Sequence, residues 1–441
     1  MKILKKLLCL LFLLSFILNA EIKVLSKAGK GVLLEKDGQK VLLLKGSFYE
    51  MGYQHGKLLK DEIEELINNV LMISFATKID DIEKAFEKQK NYIPERYIEE
   101  MKGMADATGL SLKKIVLANT FPELFHCSGI FLSRDATENK EMFHVRILDY
   151  LTDAGLQKFS KVIIFQPDGY NSFISASFSG FIGVVSGMND KKIAIGEMGG
   201  KGYGDWDGIP MVFLMRKAFE EAKNLDEAVD IFKNNKRTCE YYYLISDGTI
   251  GDARGIYATS KNFEILLPSQ SHPKLPQPFP KDTILMTAPN RYKTLRERVM
   301  DNYGKINIEN LIEIIKEPVS MKSNLHNAIF LPEKLKMYLA VAQSPDVTNF
   351  QACYQKYYEY DYQELIKYYP ENGERIQKIE TKAEINNILP EEKIKEGILE
   401  KEEIKDFSEP ENENLKNYLK FYEVPKKDIP YKLIFKTKTE D

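Results

Sequence analysis

The chain of 441 residues carries 62 basic and 65 acidic side chains, a formal net charge of −3, so neither nucleic acid nor an anionic surface is implied as a partner. That length buries a sizeable core, either as two or three domains or as one large α/β sandwich. After the first twenty residues no stretch approaches the roughly 20 apolar residues that a transmembrane helix needs, so no stable membrane span is expected once that leader is removed.

Lys2, Lys5 and Lys6 precede an apolar run from Leu7 to Leu18 and then Asn19-Ala20, the pattern of a secretory signal. Residues 1–20 therefore read as a signal peptide cut after Ala20, and the protein as secreted or periplasmic. Cys9 leaves with the signal. Residues 21–126 read as a mostly helical segment. Val32 to Leu44 gives two short strands around Lys36-Asp37-Gly38. Ile63, Leu66, Ile67, Val70 and Leu71 recur at helical spacing and predict one amphipathic helix, Leu58 to Met72. Further helices are expected at Ile82 to Gln89, Pro94 to Ala107 and, behind a serine cap, Ser111 to Asn119.

From Cys127 the pattern changes to strands: Ser128 to Ser133, Met142 to Leu148, Lys161 to Phe165, Ser172 to Phe178, Gly183 to Ser186 and Lys192 to Gly196. Helices follow behind Pro210 and at Asp226 to Lys233. Strands return at Tyr241 to Ser246, Ile256 to Ala258, Phe263 to Leu267 and Thr283 to Thr287. Helices near Tyr292 to Asn302 and Ile308 to Ile315 precede strands at Asn327 to Leu331 and Met337 to Ala342. Runs of strands separated by helix pairs imply an α+β core over 127–362, two sheets face to face and covered by helices in four αββα layers. Residues 363–441 are rich in Lys and Glu and read as a charged helical C-terminal extension.

The stretch "FHCSGIFLSRDATENKEMFHVRILDY" places Cys127 at the mouth of a β-hairpin whose return strand carries Arg146 and Asp149. A turn centred near Glu138-Asn139 puts Cys127 opposite Tyr150, with Asp149 within a residue or two and Arg146 about 10 to 13 Å along at ~3.3 Å per residue. Arg146 and Asp149 differ by three and face opposite sides of a regular strand, so a bend or strand end near Leu148 is required if both serve one site. Without further context, Arg146 and Asp149 can also be read as a surface ion pair, and Cys127 reads as an ordinary buried apolar residue. The odd count of Cys127, Cys239 and Cys353 leaves at least one thiol unpaired; Cys239 and Cys353 are either buried thiols or a disulfide. The five histidines form no metal-spaced pair, so no metal or other cofactor is expected.

Cys127, the "RDATENKE" turn and "VRILDY" resemble the N-terminal nucleophile hydrolases. The resemblance is to the family of acyl-coenzyme A:6-aminopenicillanic acid acyltransferase (isopenicillin N acyltransferase), with penicillin V acylase and choloylglycine hydrolase as cousins. It extends in order through "GSFYEMGYQHGKLLKDEI", "GMNDKKIAIGEMGG", "GIPMVFLMRKAFEEAKNLDEAVDIF", "YYYLISDG", "MTAPNRY" and "LHNAIFLPEKLKMYLA", from Gly46 to about Ala340. It implies a precursor in which Cys127 attacks the carbonyl of His126, cuts the chain and emerges with a free α-amine that serves as its base, the fragments staying associated. It further implies Asp149 as the acceptor orienting that amine and Arg146 as the charge favouring thiolate or binding the small N-acyl substrate. Asn290 becomes an oxyanion donor, or else a turn or helix cap. Relatives usually follow that asparagine with histidine, where this chain has Arg291. The second asparagine of bile-salt-cleaving cousins falls here near Met198 to Gly200, with no amide side chain; backbone N–H groups around Gly199 are the expected substitute. Trp206, in "GGKGYGDWDG", lines the substrate pocket or packs. Two alternatives stay open: a conventional cysteine hydrolase without self-cutting, in which His126 acts as base, and a catalytically silent binding protein of the same fold.

Overall fold

The computed structural model describes residues 22–71, 79–120, 127–150, 152–200, 205–270 and 279–378. The expected signal peptide, Met72, His126 and most of the C-terminal extension lie outside them.

Two sheets form the centre. The larger runs in the spatial order β1 (Lys23–Ala28), β2 (Gly31–Lys36), β3 (Gln39–Gly46), β6 (Ser160–Pro167), β7 (Phe173–Phe178), β8 (Ser186–Asn189), β9 (Ile193–Gly199), β10 (Glu240–Asp247), β11 (Asp252–Thr259) and β12 (Phe263–Leu266). The smaller is ordered β13 (Thr283–Met286), β4 (Ser128–Leu132), β5 (Phe143–Asp149), β14 (Asn324–Leu331), β15 (Lys336–Val341) and β16 (Tyr358–Asp361). Every pairing is antiparallel except β3 with β6. Ala328, Phe330, Met337 and Leu339 of the smaller sheet pack in one buried cluster with Val162, Ile164, Ile174, Ala176, Met188 and Ala194 of the larger. Both sheets are thus buried on their facing sides, and the expected α+β, αββα sandwich holds.

The helices cover the outer faces. α1 (Phe48–Leu58) starts at Ser47, whose hydroxyl accepts the Glu50 N–H while the Glu50 carboxylate accepts the Ser47 N–H. α2 (Lys60–Glu65) and a π-turn at Leu66–Leu71 follow. The single helix expected from Leu58 to Met72 is therefore interrupted at Leu59, which has φ −127° and ψ 27°. Its apolar stripe survives the break, because Ile63, Leu66, Ile67 and Leu71 are all buried: periodicity reports the buried face but not backbone continuity. Next come α3 (Ile79–Gln89), α4 (Glu95–Thr108) and α5 (Leu112–Thr120). α1 crosses α4 closely enough that a Cβ on Gly52 would stand 1.8 Å from the Glu100 carbonyl oxygen, and one on Gly103 2.1 Å from that of Tyr49. α6 (Met211–Glu221), α7 (Leu225–Asn234), α8 (Pro289–Asp301), α9 (Ile308–Ile314) and the short α10 (Tyr362–Leu365) complete the set.

Two expectations shift. The strand expected at Gly183 to Ser186 begins only at Ser186, because the Val184 N–H is spent on the Val212 carbonyl at the start of α6 rather than on a strand. The C-terminal extension is not helical from Tyr369 to Lys378. It runs as a strap: the Tyr369 hydroxyl lies 3.0 Å from the Leu44 carbonyl and 3.2 Å from that of Ile164, Gly373 packs on Gly29, and Lys378 pairs with Glu99.

Residues 22–120 are built into the core rather than laid upon it. β3 supplies the parallel partner of β6, and α4 reaches α6 through buried charge: Arg216 pairs with Glu100 at 2.6 Å and with Glu220 at 2.8 Å, all three fully buried. Burial outweighs Arg216 and pushes the Glu100 carboxyl up to about 7. The folded chain then binds this proton more tightly than the unfolded chain. Its contribution to stability is full below about 4.5 and is lost as pH rises through about 7. Glu100→Gln is expected to flatten the fall in urea midpoint across that window; an unchanged slope would remove Glu100 as its source.

Candidate active site

β4 and β5 pair Ser128 with Ile147, Gly129 with Arg146 and Leu132 with Phe143. Continuing that register sets Cys127 across from Leu148, not Tyr150. The connection is not a tight turn at Glu138-Asn139. Arg134–Ala136 coils into a 3-10 turn, the Thr137 hydroxyl donates to the Glu141 carbonyl at 2.8 Å, and the Glu138 N–H goes to Ile306. The two-residue change brings Arg146 opposite Gly129, only about 7 Å along the strand from Cys127. β5 ends at Asp149, and β14 bulges opposite it between Asn324 and His326. The strand therefore stays regular through Asp149, and the bend expected near Leu148 to bring both side chains to one face is not present in β5.

Alternation sends the two side chains of β5 to opposite faces. Arg146 points at the larger sheet, where its Nε donates to the Glu197 carbonyl (3.0 Å) and its Nη2 lies 3.3 Å from Glu197 Oε2. Both residues are fully buried. Gly196 makes the room: a Cβ there would stand 2.7 Å from Arg146 Cγ. His144, on the same face, has its Nδ1 2.7 Å from the Ser246 hydroxyl, and burial lowers its pKa to about 3, leaving it neutral. Burial, then the Arg146 charge, also hold His326 well below its ordinary range.

Asp149 turns to the helical side. Its Oδ2 accepts from Arg291 Nη1 of α8 at 2.7 Å, and its Oδ1 from the Met321 N–H (3.0 Å) and from Asn324 Nδ2 (3.2 Å). Arg291 also donates to the Val319 carbonyl at 2.9 Å and, through Nη2, to that of Cys127 at 3.5 Å. Asn324 in turn donates to Asn327 Oδ1 and accepts the Cys353 N–H. Burial raises the Asp149 carboxyl, with Arg291 the main opposing influence.

Cys127 stands where the two polar groups meet, 4 % exposed. Burial pushes its thiol up to about 12; Arg146 opposes this, while Glu197 and Asp149 add to it. At neutral pH it is a thiol, so attack on a carbonyl needs a base. The described imidazoles donate or accept elsewhere or sit in the core, and none is hydrogen-bonded to it: His55 accepts the Gly180 N–H, and His144 meets Ser246. Cys239 and Cys353 are separate buried thiols, not a disulfide. Among the described residues no group of three or more His, Cys, Asp or Glu side chains is arranged to hold a metal ion.

Asn290 lies on the exposed first turn of α8, directly after β13, and the buried position there belongs to Arg291. Gly199 ends β9 opposite Tyr241. The neighbouring Gly200 N–H is taken by the Glu240 carbonyl, which corrects the expectation of a free backbone donor at that residue. Trp206 is buried. Beside Leu148 and Tyr150 opens an apolar cavity of about 40 Å³, walled by Leu66, Leu71, Phe178 and Phe181 among others. Sequence reasoning missed Glu197, Asn324 and the part played by Arg291. A signal existed for Glu197, a lone carboxylate in the apolar run "IAIGEMGG".

No family model matches the chain. Among curated proteins it is 26 % identical to protein dcd1A of Dictyostelium discoideum over 360 residues, 70 % of this chain and 81 % of that one. It is 25 % identical to the N-acylethanolamine-hydrolyzing acid amidase of Rattus norvegicus, covering 36 % of this chain and 46 % of that protein, and 27 % identical to the acid ceramidase of Heterocephalus glaber, covering 35 % and 45 %. The matched part is thus under half the length of each of the latter two. A Caenorhabditis elegans N-acylethanolamine-hydrolyzing acid amidase ortholog superposes with a TM-score of 0.37 at 15 % identity over 53 % of this chain and 99 % of that one. The amidase and ceramidase relatives, the two-sheet sandwich and a cysteine at the head of β4 support assignment of the chain to the N-terminal nucleophile hydrolases.

Proposed function

We propose that this protein is an exported cysteine hydrolase or acyltransferase of linear amides, activated when it cuts its own chain between His126 and Cys127. The observation that carries the reading is the position of Cys127 between two buried polar groups, Arg146 with Glu197 on one face of β5 and Asp149 with Arg291 on the other. Among the described residues no imidazole is hydrogen-bonded to this protonated thiol, and its base must come from elsewhere. An α-amine created at residue 127, with a reference pKa of about 7.7 to 8.0, is that base. Asp149 accepts from the ammonium once it forms, and Arg146 stabilises the thiolate. Asn290 supplies an oxyanion donor from the exposed start of α8. Trp206 and Gly199 contribute to the substrate-binding wall.

The substrate is a small N-acyl amide whose apolar acyl group enters the cavity beside Leu148; amides of that kind are named for the amidase relatives. Water or a second nucleophile takes the acyl group. The fragments stay together through the β3–β6 pairing, the Glu100–Arg216 pair and the Tyr369 strap. Intact mass and N-terminal sequencing of the secreted protein test the proposal. A chain starting Cys-Ser-Gly and hydrolysis across a panel of N-acyl amides are expected. An uncut protein that hydrolyses them points to a conventional cysteine hydrolase, and an uncut, inert one to a silent binding protein.

A further inference from the structure

Arg291 reaches Asp149, Val319 and Cys127 from one buried guanidinium, which gives it an assignment beyond charge neutralisation. We propose that Arg291 is a positioning residue for the nucleophile, a guanidinium fork that ties the Asp149 carboxylate to the backbone carbonyl of Cys127 and fixes the orientation of that residue's backbone. The inference rests on Cys127 acting as N-terminal nucleophile.

Three donors converge on Asp149: Arg291 Nη1, the Met321 N–H and Asn324 Nδ2. A carboxylate offers about four acceptor sites, so about one remains for the ammonium of Cys127. The same guanidinium grips the Val319 carbonyl, which anchors it to the segment leading into β14 and makes its position independent of bound substrate. It is 1 % exposed, and the pair it makes with Asp149 is sealed from solvent. A lysine offers one point charge and not a planar fork, so it satisfies Asp149 without holding the Cys127 carbonyl. Arg291 contacts no reacting atom; it acts through Asp149 and the Cys127 backbone.

Asp149 also feels Arg146 from its own strand, and it faces Cys127, Glu317 and Cys353, whose ionisation it disfavours. Of the two cations, Arg291 is the one in contact. Removing it lets burial raise the carboxyl further, so the acid limb of kcat/KM moves to higher pH by about 1 to 3 units, the usual effect of an adjacent opposite charge. Arg291→Lys keeps the charge and leaves that limb in place.

The test uses the full chain, wild type and Arg291→Ala and Arg291→Lys variants, with a fluorogenic N-acyl aminocoumarin bearing an apolar acyl group. Positioning predicts a kcat reduced about 100-fold or more in Arg291→Ala with KM within threefold, an upward shift of the acid limb, and partial recovery on adding guanidinium. If Arg291→Ala does not fold, Arg291→Lys carries the test: a wild-type melting temperature with kcat at least tenfold lower supports the role, and wild-type kcat overturns it. Arg291→Ala with wild-type kcat, or with lost activity but neither a shifted limb nor recovery, also overturns it while leaving a Cys127-dependent wild type intact. A wild type that neither cuts itself nor cleaves the probe removes the nucleophile itself, and the positioning role with it.

Discussion

Replacement of Cys127 by alanine is expected to leave the chain whole and to lower amide hydrolysis by about 10⁴-fold or more, the scale seen when a nucleophile is removed from a working constellation. The argument is chemical. The thiol lies at the head of β4 with a pKa pushed up to about 12 by burial, so it is protonated and inert unless a base is generated beside it. Cys127→Ser separates the two stages: a hydroxyl is the weaker nucleophile, so slow self-cutting with little turnover is expected. Mass analysis over hours, read beside initial rates on an N-acyl panel, checks both. Rapid cutting at residue 126 in the alanine variant would assign the break to another protease and end the self-processing reading.

Arg146→Met is expected to cost the fold about 3 to 5 kcal/mol and to abolish turnover, because it breaks a fully buried ion pair by removing only the cation. The pair is completely buried, and Arg146 also donates to the Glu197 backbone carbonyl. Replacing both, Arg146→Met with Glu197→Leu, should recover most of that stability while leaving the protein inactive. Urea unfolding of the two singles and the double measures the coupling. Singles that lose less than ~1 kcal/mol would mean that the pair is reached by solvent and is no sealed feature of the site.

Much of the site was readable along the chain because its first members lie on one hairpin. Cys127, Arg146 and Asp149 are joined by a short connection, so local pairing alone brings them near each other. The register was off by two, since a 3-10 turn at Arg134–Ala136 and the Thr137 hydroxyl replace the tight turn that residue types at Glu138-Asn139 suggest. Glu197, Arg291 and Asn324 were not readable in this way. Each comes from a different strand or helix, and the partner that makes each significant is more than fifty residues away in sequence.

The same division runs through the whole fold. Alternating and helical apolar patterns settled which segments are strands or helices and hence the layered α+β class, because burial of one face is recorded in the residue types themselves. Sheet order, the insertion of β3 beside β6 and the break at Leu59 were decided by tertiary packing. So were the buried pairing of Arg146 with Glu197 and the grip of Arg291 on Asp149. A charged side chain in a sequence looks solvated. Only its enclosure, where Coulomb attraction must offset lost hydration, selects which distant partner it meets.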